Sequence, residues 1–209
     1  MPADHSSNLA STPRWARRHV WAITLLVIAA AVLGYPAYVR YINRPRVILD
    51  SHLITPIAAP GTALSDRVEA PELYGGITNT TDAHPIVWNG RPVKIDGVDE
   101  HIMITDPMTG SPVASTDLRE FYSIGRMRAA PVCRQSDGTD LLAVLVALRP
   151  TSHRSLLLVY AGDGRLVYEE LLERRSGPSA DRLFAGRLNN ENALMVDIQG
   201  VISGWTCQH

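Results

Sequence analysis

The hydrophobic pattern of the chain opens with one long run that contains no charged residue, residues 20–39 (VWAITLLVIAAAVLGYPAYV). A helix of this length extends about 30 Å, which matches the apolar core of a bilayer. The run therefore predicts a transmembrane helix over residues 20–39. The strongly apolar side chains that we expect to anchor it in lipid are Val20, Ile23, Leu25, Leu26, Val27, Ile28, Val32 and Leu33.

Two other interpretations of this run stay open. A cleaved signal peptide would have the same basic start (Arg14, Arg17 and Arg18), and residues 29–31 (Ala-Ala-Ala) have the small-residue pattern of a cleavage site. A helix buried in a soluble protein is the second alternative, although uncharged runs of this length are uncommon there. The apolar run continues beyond the alanines, which favours an anchor that is not cleaved.

The direction of the helix in the membrane does not follow from its flanking charges. Three arginines precede the run and three follow it, so the positive-inside rule makes no choice. Residues 1–19 are short and polar, whereas the remainder is long and holds both cysteines. We therefore expect residues 1–19 in the cytoplasm and the rest outside it. The Arg-rich composition resembles that of bacterial inner-membrane proteins, which predicts a single-pass protein of the cell inner membrane.

Residues 40–84 lack a sustained hydrophobic period and contain several Pro and Gly residues. This composition is typical of loops and turns. We therefore predict a linker followed by an irregular segment that leads into the domain. A short helix over residues 63–70 is an alternative for part of this stretch.

Residues 85–209 have the pattern of β-strands and predict an extracytoplasmic β domain. Short apolar runs end at strong hairpin-turn signals, Asn89-Gly90 and Gln199-Gly200 among them. Residues 141–148 (LLAVLVAL) are continuously apolar, which is typical of a strand buried on both faces.

One further hairpin is predicted around Gly162-Asp163-Gly164. Residues 156–160 and 165–172 flank this turn and are predicted to form its two strands. An amphipathic helix over residues 166–175 is the alternative, because the glutamates there are compatible with one polar face.

Two stretches, residues 136–144 (SDGTDLLAV) and 189–196 (NNENALMV), each place a polar turn before an apolar strand, about 53 residues apart. Residues 185–190 (AGRLNN) are similar to the Ala-Gly-Asp-Leu-Asn-Gly of FG-GAP/VCBS-type β-propeller blades. Residues 101–113 (HIMITDPMTGSPV) resemble the hairpin of quinoprotein-type propeller blades. The resemblance covers residues 85–207 and implies blade-like antiparallel hairpins.

The length of the β region limits how such blades close. Propellers typically contain about 4–8 blades, whereas about 120 residues supply three at most. We therefore expect a mainly β fold, either a partial propeller or a small sandwich, together with one N-terminal transmembrane helix. A partial propeller leaves exposed strand edges, which would face solvent or pair with another subunit.

The resemblance departs from the FG-GAP pattern where that family binds calcium. Its loops hold Ca²⁺ through several closely spaced Asp side chains, and calcium needs many oxygen ligands. Here Cys133 and Arg134 precede Asp137, and Arg187 stands where the family has Asp. Because an arginine repels a cation, we do not expect calcium at these loops. The histidines have no metal-ligand spacing and the glycines form no phosphate-binding loop, so we expect no bound metal and no cofactor.

The two cysteines, Cys133 and Cys207, are 74 residues apart and form no CxxC motif. In an exported domain they are candidates for a structural disulfide. Two free thiols are the alternative, which the opposite membrane orientation would favour.

Charge and motifs narrow the functional classes. The chain has 20 Lys and Arg against 21 Asp and Glu, so no global positive field attracts nucleic acid. No catalytic or metal-binding motif is present. We predict a non-catalytic binding or assembly module whose partners are the lipid bilayer and a protein bound through β edges or the membrane helix. The alternatives are an accessory subunit of a larger membrane complex and an enzyme whose site is dispersed over loops.

Overall fold

The structure is a computed structural model. It describes residues 21–30, 32, 34–35, 48–57, 64–74, 86–98, 100–118, 123–149, 154–173 and 181–207. By its internal contacts the chain divides into two compact units, Met1–Arg44 and Pro45–His209.

In the first unit, residues 21–30 form a helix whose apolar side chains are exposed, Leu26 to 72 %. Among the described residues, no helix is both long and apolar enough to cross a membrane. The predicted span of residues 20–39 extends beyond this helix, and Val20 and Leu33 lie outside the described residues. The transmembrane helix therefore stays a prediction.

The second unit is mainly antiparallel β, as the sequence predicts. Its described strands are β1 (Ile48–Leu49), β2 (Ile54–Ile57), β3 (Ser65–Glu69), β4 (Glu72–Tyr74), β5 (Ile86–Trp88), β6 (Arg91–Val98), β7 (His101–Thr105), β8 (Pro112–Asp117), β9 (Ser123–Arg134), β10 (Asp140–Arg149), β11 (Arg154–Tyr160), β12 (Leu166–Glu173), β13 (Arg182–Leu188), β14 (Glu191–Ile198) and β15 (Val201–Cys207).

These strands form three sheets, each built around a run of four antiparallel neighbours. One sheet is the meander β5-β6-β7-β8. The six-stranded sheet has the order β1-β12-β11-β10-β9-β4, so the meander β9 to β12 gains one N-terminal strand at each edge. The five-stranded sheet has the order β2-β15-β14-β13-β3, in which β2 completes a third set of four.

The six-stranded sheet is the middle layer, because both of its faces are buried. Strand β10 shows this best, since its side chains alternate between two separate cores. Leu141, Ala143 and Leu145 pack in a core shared with the five-stranded sheet. Leu142, Val144 and Val146 pack in the core shared with the four-stranded sheet. The prediction of a strand buried on both faces at residues 141–148 is confirmed.

Local turn chemistry sets the hairpins. Asn89-Gly90, Asn189-Asn190 and Gln199-Gly200 each place two successive residues at positive φ, between 50° and 83°. Two successive left-handed residues match the turn whose twist suits a two-residue hairpin. The predicted hairpins at Asn89-Gly90 and Gln199-Gly200 are therefore confirmed, and so is the hairpin of β11 and β12.

Three expectations differ from the structure. The helical alternative for residues 63–70 is wrong over its described part, residues 64–70, which contains strand β3, paired with β13. The helical alternative for residues 166–175 is also wrong over its described part, because residues 166–173 form β12, which pairs with β11. Finally, the described part of residues 40–84 is not an irregular lead-in, since β1 to β4 are integral to the two larger sheets. Backbone pairing with distant strands outweighs the weak local signals there.

Candidate binding cleft

A crossing of the N-terminal chain borders a cleft of the β domain. Strand β3 pairs with β13 of the five-stranded sheet. The chain crosses at Ala70, whose N–H donates to the Leu183 carbonyl at 2.8 Å, and β4 then pairs with β9 of the six-stranded sheet. Strand β4 covers only residues 126–128 of β9. We call the junction between these two sheets the seam; one half is filled by β4 and the other half is open.

The filled half of the seam is closed by ion pairs. Arg128 is only 17 % exposed and donates to Glu69 at 3.1 Å, to Glu72 at 3.2 Å and to the Ala70 carbonyl at 2.9 Å. Arg182 donates to Glu69 at 2.6 Å. The hydrogen bond and charge of Arg182, with the charge of Arg128, lower the pKa of Glu69 against the opposing effect of desolvation. The arginines and glutamates of this half therefore neutralise one another.

The open half of the seam is a cleft of about 330 Å³. Five strands contribute to its walls, which are lined by Asp66, Val68, Pro131, Val132, Cys133, Arg134, Asp140, Ala185, Gly186, Arg187, Asn192 and Ala193. Two arginines and two aspartates are among them. None of these four charged side chains forms an ion pair with another described residue. The open half thus presents both signs of charge without internal neutralisation.

A bulge with a left-handed residue lies in each of two opposing walls. On β9, Cys133 has φ 56° at the point where the register with β10 shifts. On β3, Asp66 has φ 51° where the register with β13 shifts. Bulges bend a strand and redirect its side chains, and they are frequent beside binding and active sites. The two bulges therefore shape the cleft rather than leave two flat strand edges.

Close backbone packing forms the floor of the cleft. Gly186 of β13 lies so near β3 that an added Cβ atom would be 2.8 Å from the Ser65 carbonyl oxygen. The Ser65 hydroxyl donates to the Arg187 carbonyl at 3.3 Å. Arg187 and Asn192 are direct cross-strand partners. Their side chains thus leave the sheet side by side, at the end of the strands and facing the cleft.

Hydrogen bonds from the four-stranded sheet hold the cleft wall at the start of β10. The Trp88 indole N–H donates to the Asp140 carbonyl at 2.6 Å, and the Asp140 N–H donates to the Asn89 side-chain oxygen at 2.5 Å. The hairpin turn at Asn89 therefore fixes the backbone at the start of β10, from which Asp140 borders the cleft.

The disulfide of the structure joins the two sheets beside the cleft. Cys133 of β9 bonds to Cys207 of β15, with their Cα atoms 5.6 Å apart. Cys133 lines the cleft, and both half-cystines are buried. This pairing is consistent with the predicted disulfide between Cys133 and Cys207.

The charged side chains in the described lining of the cleft are Asp66, Arg134, Asp140 and Arg187. The described lining contains no Ser, Thr, His, Lys or Tyr, and its cysteine is in the disulfide. Elsewhere, Ser155 donates to Asp181 at 2.5 Å, but both residues are buried. Among the described residues, no group of three His, Cys, Asp or Glu side chains could hold a metal ion. The arginine, aspartate and asparagine side chains of the lining can form ion pairs and hydrogen bonds with a partner.

The sequence singled out part of this cleft for a different reason. Arg134 and Arg187 interrupt the calcium-loop pattern of the resembled family, and both line the cleft. Asp66 and Asn192 carried no sequence signal, because their positions depend on the pairing of β3 with β13 and of β13 with β14. The anchor residues belong to the other unit of the chain.

Comparison with known proteins adds no relative. No model of a protein family matches the chain, and no similar curated protein or solved structure was found.

Proposed function

We propose that the chain is a single-pass protein of the inner membrane whose extracytoplasmic β domain is a non-catalytic binding or assembly module. The observation that carries this proposal is the cleft in the open half of the seam. It presents charges of both signs that no described residue neutralises, whereas the filled half is internally paired. Complementary charges on a partner would complete the arrangement and determine its orientation.

The lining chemistry favours binding over catalysis. Many hydrolases and transferases use a Ser, Thr, Cys or Lys nucleophile beside a base, or a bound metal. The described lining offers arginine, aspartate and asparagine side chains above a floor of small residues. Such groups recognise and orient a partner.

Three observations support the membrane anchor and the extracytoplasmic placement. The uncharged run of residues 20–39 has the length and hydrophobicity of a span. Side chains of the helix at residues 21–30 are exposed, Leu25 to 63 % and Leu26 to 72 %, and contiguous apolar surface calls for an apolar environment. The disulfide fits an oxidising compartment outside the cytoplasm.

The layered sheets support a relation to propeller blades. Three sets of four antiparallel strands follow one another, and the middle set packs against both neighbours. In the third set an N-terminal strand, β2, completes the C-terminal strands. This arrangement is compatible with a three-blade partial propeller of the FG-GAP or quinoprotein type, which is our proposal for the fold.

A photo-crosslinking experiment tests the binding function. We would place benzoylphenylalanine at Asn192 in the cleft and, as a matched control, at the exposed Ser115 on the outer face of the four-stranded sheet. The expected result is one discrete adduct in intact cells from position 192 and none from position 115. Absence of an adduct from position 192, or equal adducts from both positions, would contradict a binding role for the cleft.

Thiol labelling tests the orientation separately. In intact cells, a membrane-impermeant maleimide should label Cys133 and Cys207 only after reduction and mild unfolding, since both are buried in a disulfide. Labelling only after the membrane is opened, without any need for reductant, would contradict the extracytoplasmic placement.

A further inference from the structure

We propose that the cleft binds an extended peptide segment that carries one acidic and one basic side chain. This inference rests on the proposed binding function and names the chemistry of its partner. The cleft, at about 330 Å³, lies at the small end of the ligand pockets of proteins (about 300–1,000 Å³). It therefore suits the side chains of a few residues.

The filled half of the same seam provides the precedent. There the chain's own extended segment, β4, lies along β9. Its Glu72 is held by Arg128 at 3.2 Å and by Arg126 at 3.4 Å. An extended segment with a carboxylate is thus already recognised by arginines of β9 within this protein.

The open half continues β9 beyond the reach of β4. Arg134 lies at the end of that strand, and Arg187 is on β13 across the seam. These guanidinium groups are donors for an incoming carboxylate, with the Asn192 amide beside Arg187. Asp66 and Asp140 are acceptors for a basic side chain. Two positive and two negative groups together favour a partner that carries both signs over one that carries a single sign.

Side chains, rather than a continued β ladder, should give the recognition. Pro131 has no N–H to donate, and the bulge at Cys133 interrupts the strand edge. The left-handed Asp66 interrupts the facing strand β3. Both edges are therefore poor templates for regular strand addition, which leaves charge complementarity to select the partner.

Peptide binding to the full chain in detergent micelles tests the proposal. The probes are fluorescent alanine-based peptides that contain Glu-Ala-Arg, Arg-Ala-Glu, Glu-Ala-Glu, Arg-Ala-Arg or Gln-Ala-Gln. We expect one of the two mixed-charge peptides to bind about tenfold more tightly than the Gln peptide, because two exposed charge pairs contribute threefold to fivefold each. The difference should shrink as salt is raised. Equal affinity for all five peptides, or no binding of any, would overturn the proposal.

Charge-reversal variants tie the binding to the cleft. R187E and D66R should each weaken binding of the mixed-charge peptide about tenfold, whereas K94E on the exposed face of β6 should leave it unchanged. The double variant R134E/R187E should come to prefer the Arg-Ala-Arg peptide, which a folding defect would not produce. Circular dichroism melts verify that each variant is folded.

The outcomes separate this inference from the function on which it depends. If position 192 crosslinks a partner and R187E does not reduce the adduct, the cleft binds a protein but not through these charges, and the inference is wrong. If position 192 yields no adduct while the mixed-charge peptide binds and responds to R187E, the charge recognition holds and the binding of a protein partner in cells is refuted.

Discussion

At the level of single residues, two turn glycines share one backbone conformation but not one environment. Gly164 and Gly200 have φ values of +84° and +83°. An added Cβ atom would be 2.3 Å from the Val113 carbonyl oxygen at Gly164, whereas nothing lies within 4 Å of it at Gly200. We expect Gly164→Ala to destabilise the domain by about 3 kcal/mol or more and Gly200→Ala by about 1 kcal/mol. Urea denaturation of both variants measures the difference. Equal losses of stability in the two variants would show that the positive φ, and not the contact with Val113, determines the cost of the substitution.

The buried Tyr160 makes the stability of the domain fall at alkaline pH. Its hydroxyl donates to Thr116 at 2.8 Å, and burial raises the pKa of Tyr160 to about 12, partly opposed by that hydrogen bond. In the unfolded chain a tyrosine loses its proton near pH 10. The stabilisation is therefore complete below pH 10 and is lost as the pH rises toward 12, by about 2–3 kcal/mol.

The variant Tyr160→Phe isolates this effect. It should be less stable than the wild type at pH 8 by about 1 kcal/mol, because the bond to Thr116 is lost. The gap between the two proteins should close, and then change sign, between pH 10 and pH 12. Urea midpoints at several pH values measure it. A gap that is constant with pH would contradict the role assigned to Tyr160.

At the level of elements, Arg128 is the residue that joins three strands at the seam. It contacts Glu69 of β3 and Glu72 of β4 from its own position on β9, and it is 17 % exposed. Replacing it with Met leaves two carboxylates without this partner in a partly buried place, so we expect Arg128→Met to destabilise by about 2–4 kcal/mol. Arg165→Met is the matched control, because Arg165 is 58 % exposed in its pair with Asp50. That change should stay within about 0.5 kcal/mol.

The comparison of these two arginine variants is made by urea denaturation. If both variants lose the same stability, the seam is not held by its ion pairs, and the precedent that β4 provides for the open half loses its force. Restoring stability in Arg128→Met by neutralising Glu69 and Glu72 would identify unpaired charge as the cause.

An element could be predicted from the sequence when the residues that determine it are close to one another in the chain. Hairpins such as β14 and β15 are set by their own turn, Gln199-Gly200, and by apolar runs on each side. Strand β3 has no such information: all five of its residues are exposed, and its sequence SDRVE lacks alternation. It is a strand because β13 offers it an edge more than 100 residues later in the chain. Single-segment patterns do not contain that pairing.

The same reasoning applies to the cleft. The sequence already marked Cys133, Arg134 and Arg187 as departures from the FG-GAP loop pattern. That pattern concerned calcium binding and did not indicate a cleft. The common place of these three residues in one cleft depends on the packing of two sheets, and Asp66 enters it only through the crossing of β3 to β4. Residue types were therefore predictable, and their convergence was not.

At the level of the whole molecule, the β domain is closed by its two chain ends. Strand β1 pairs with β12, and β2 pairs with the last strand, β15. Ile54 of β2 is fully buried in the core between the six- and five-stranded sheets. Because these pairings join the beginning and end of the domain, they close long loops and their formation carries a large entropic cost.

Two truncations test whether this closure is structural. A chain that begins at residue 45 keeps β1 and β2 and should unfold in one cooperative transition. A chain that begins at residue 58 loses both strands, which removes Ile54 from the core and leaves β12 and β15 as bare edges. We expect it to lose at least about 3–5 kcal/mol and to associate in solution. Urea denaturation followed by tryptophan fluorescence, with size-exclusion chromatography, measures both effects. Equal midpoints for the two chains would mean that residues 45–57 act as the linker that the sequence pattern predicts, and that the sheets are complete without them.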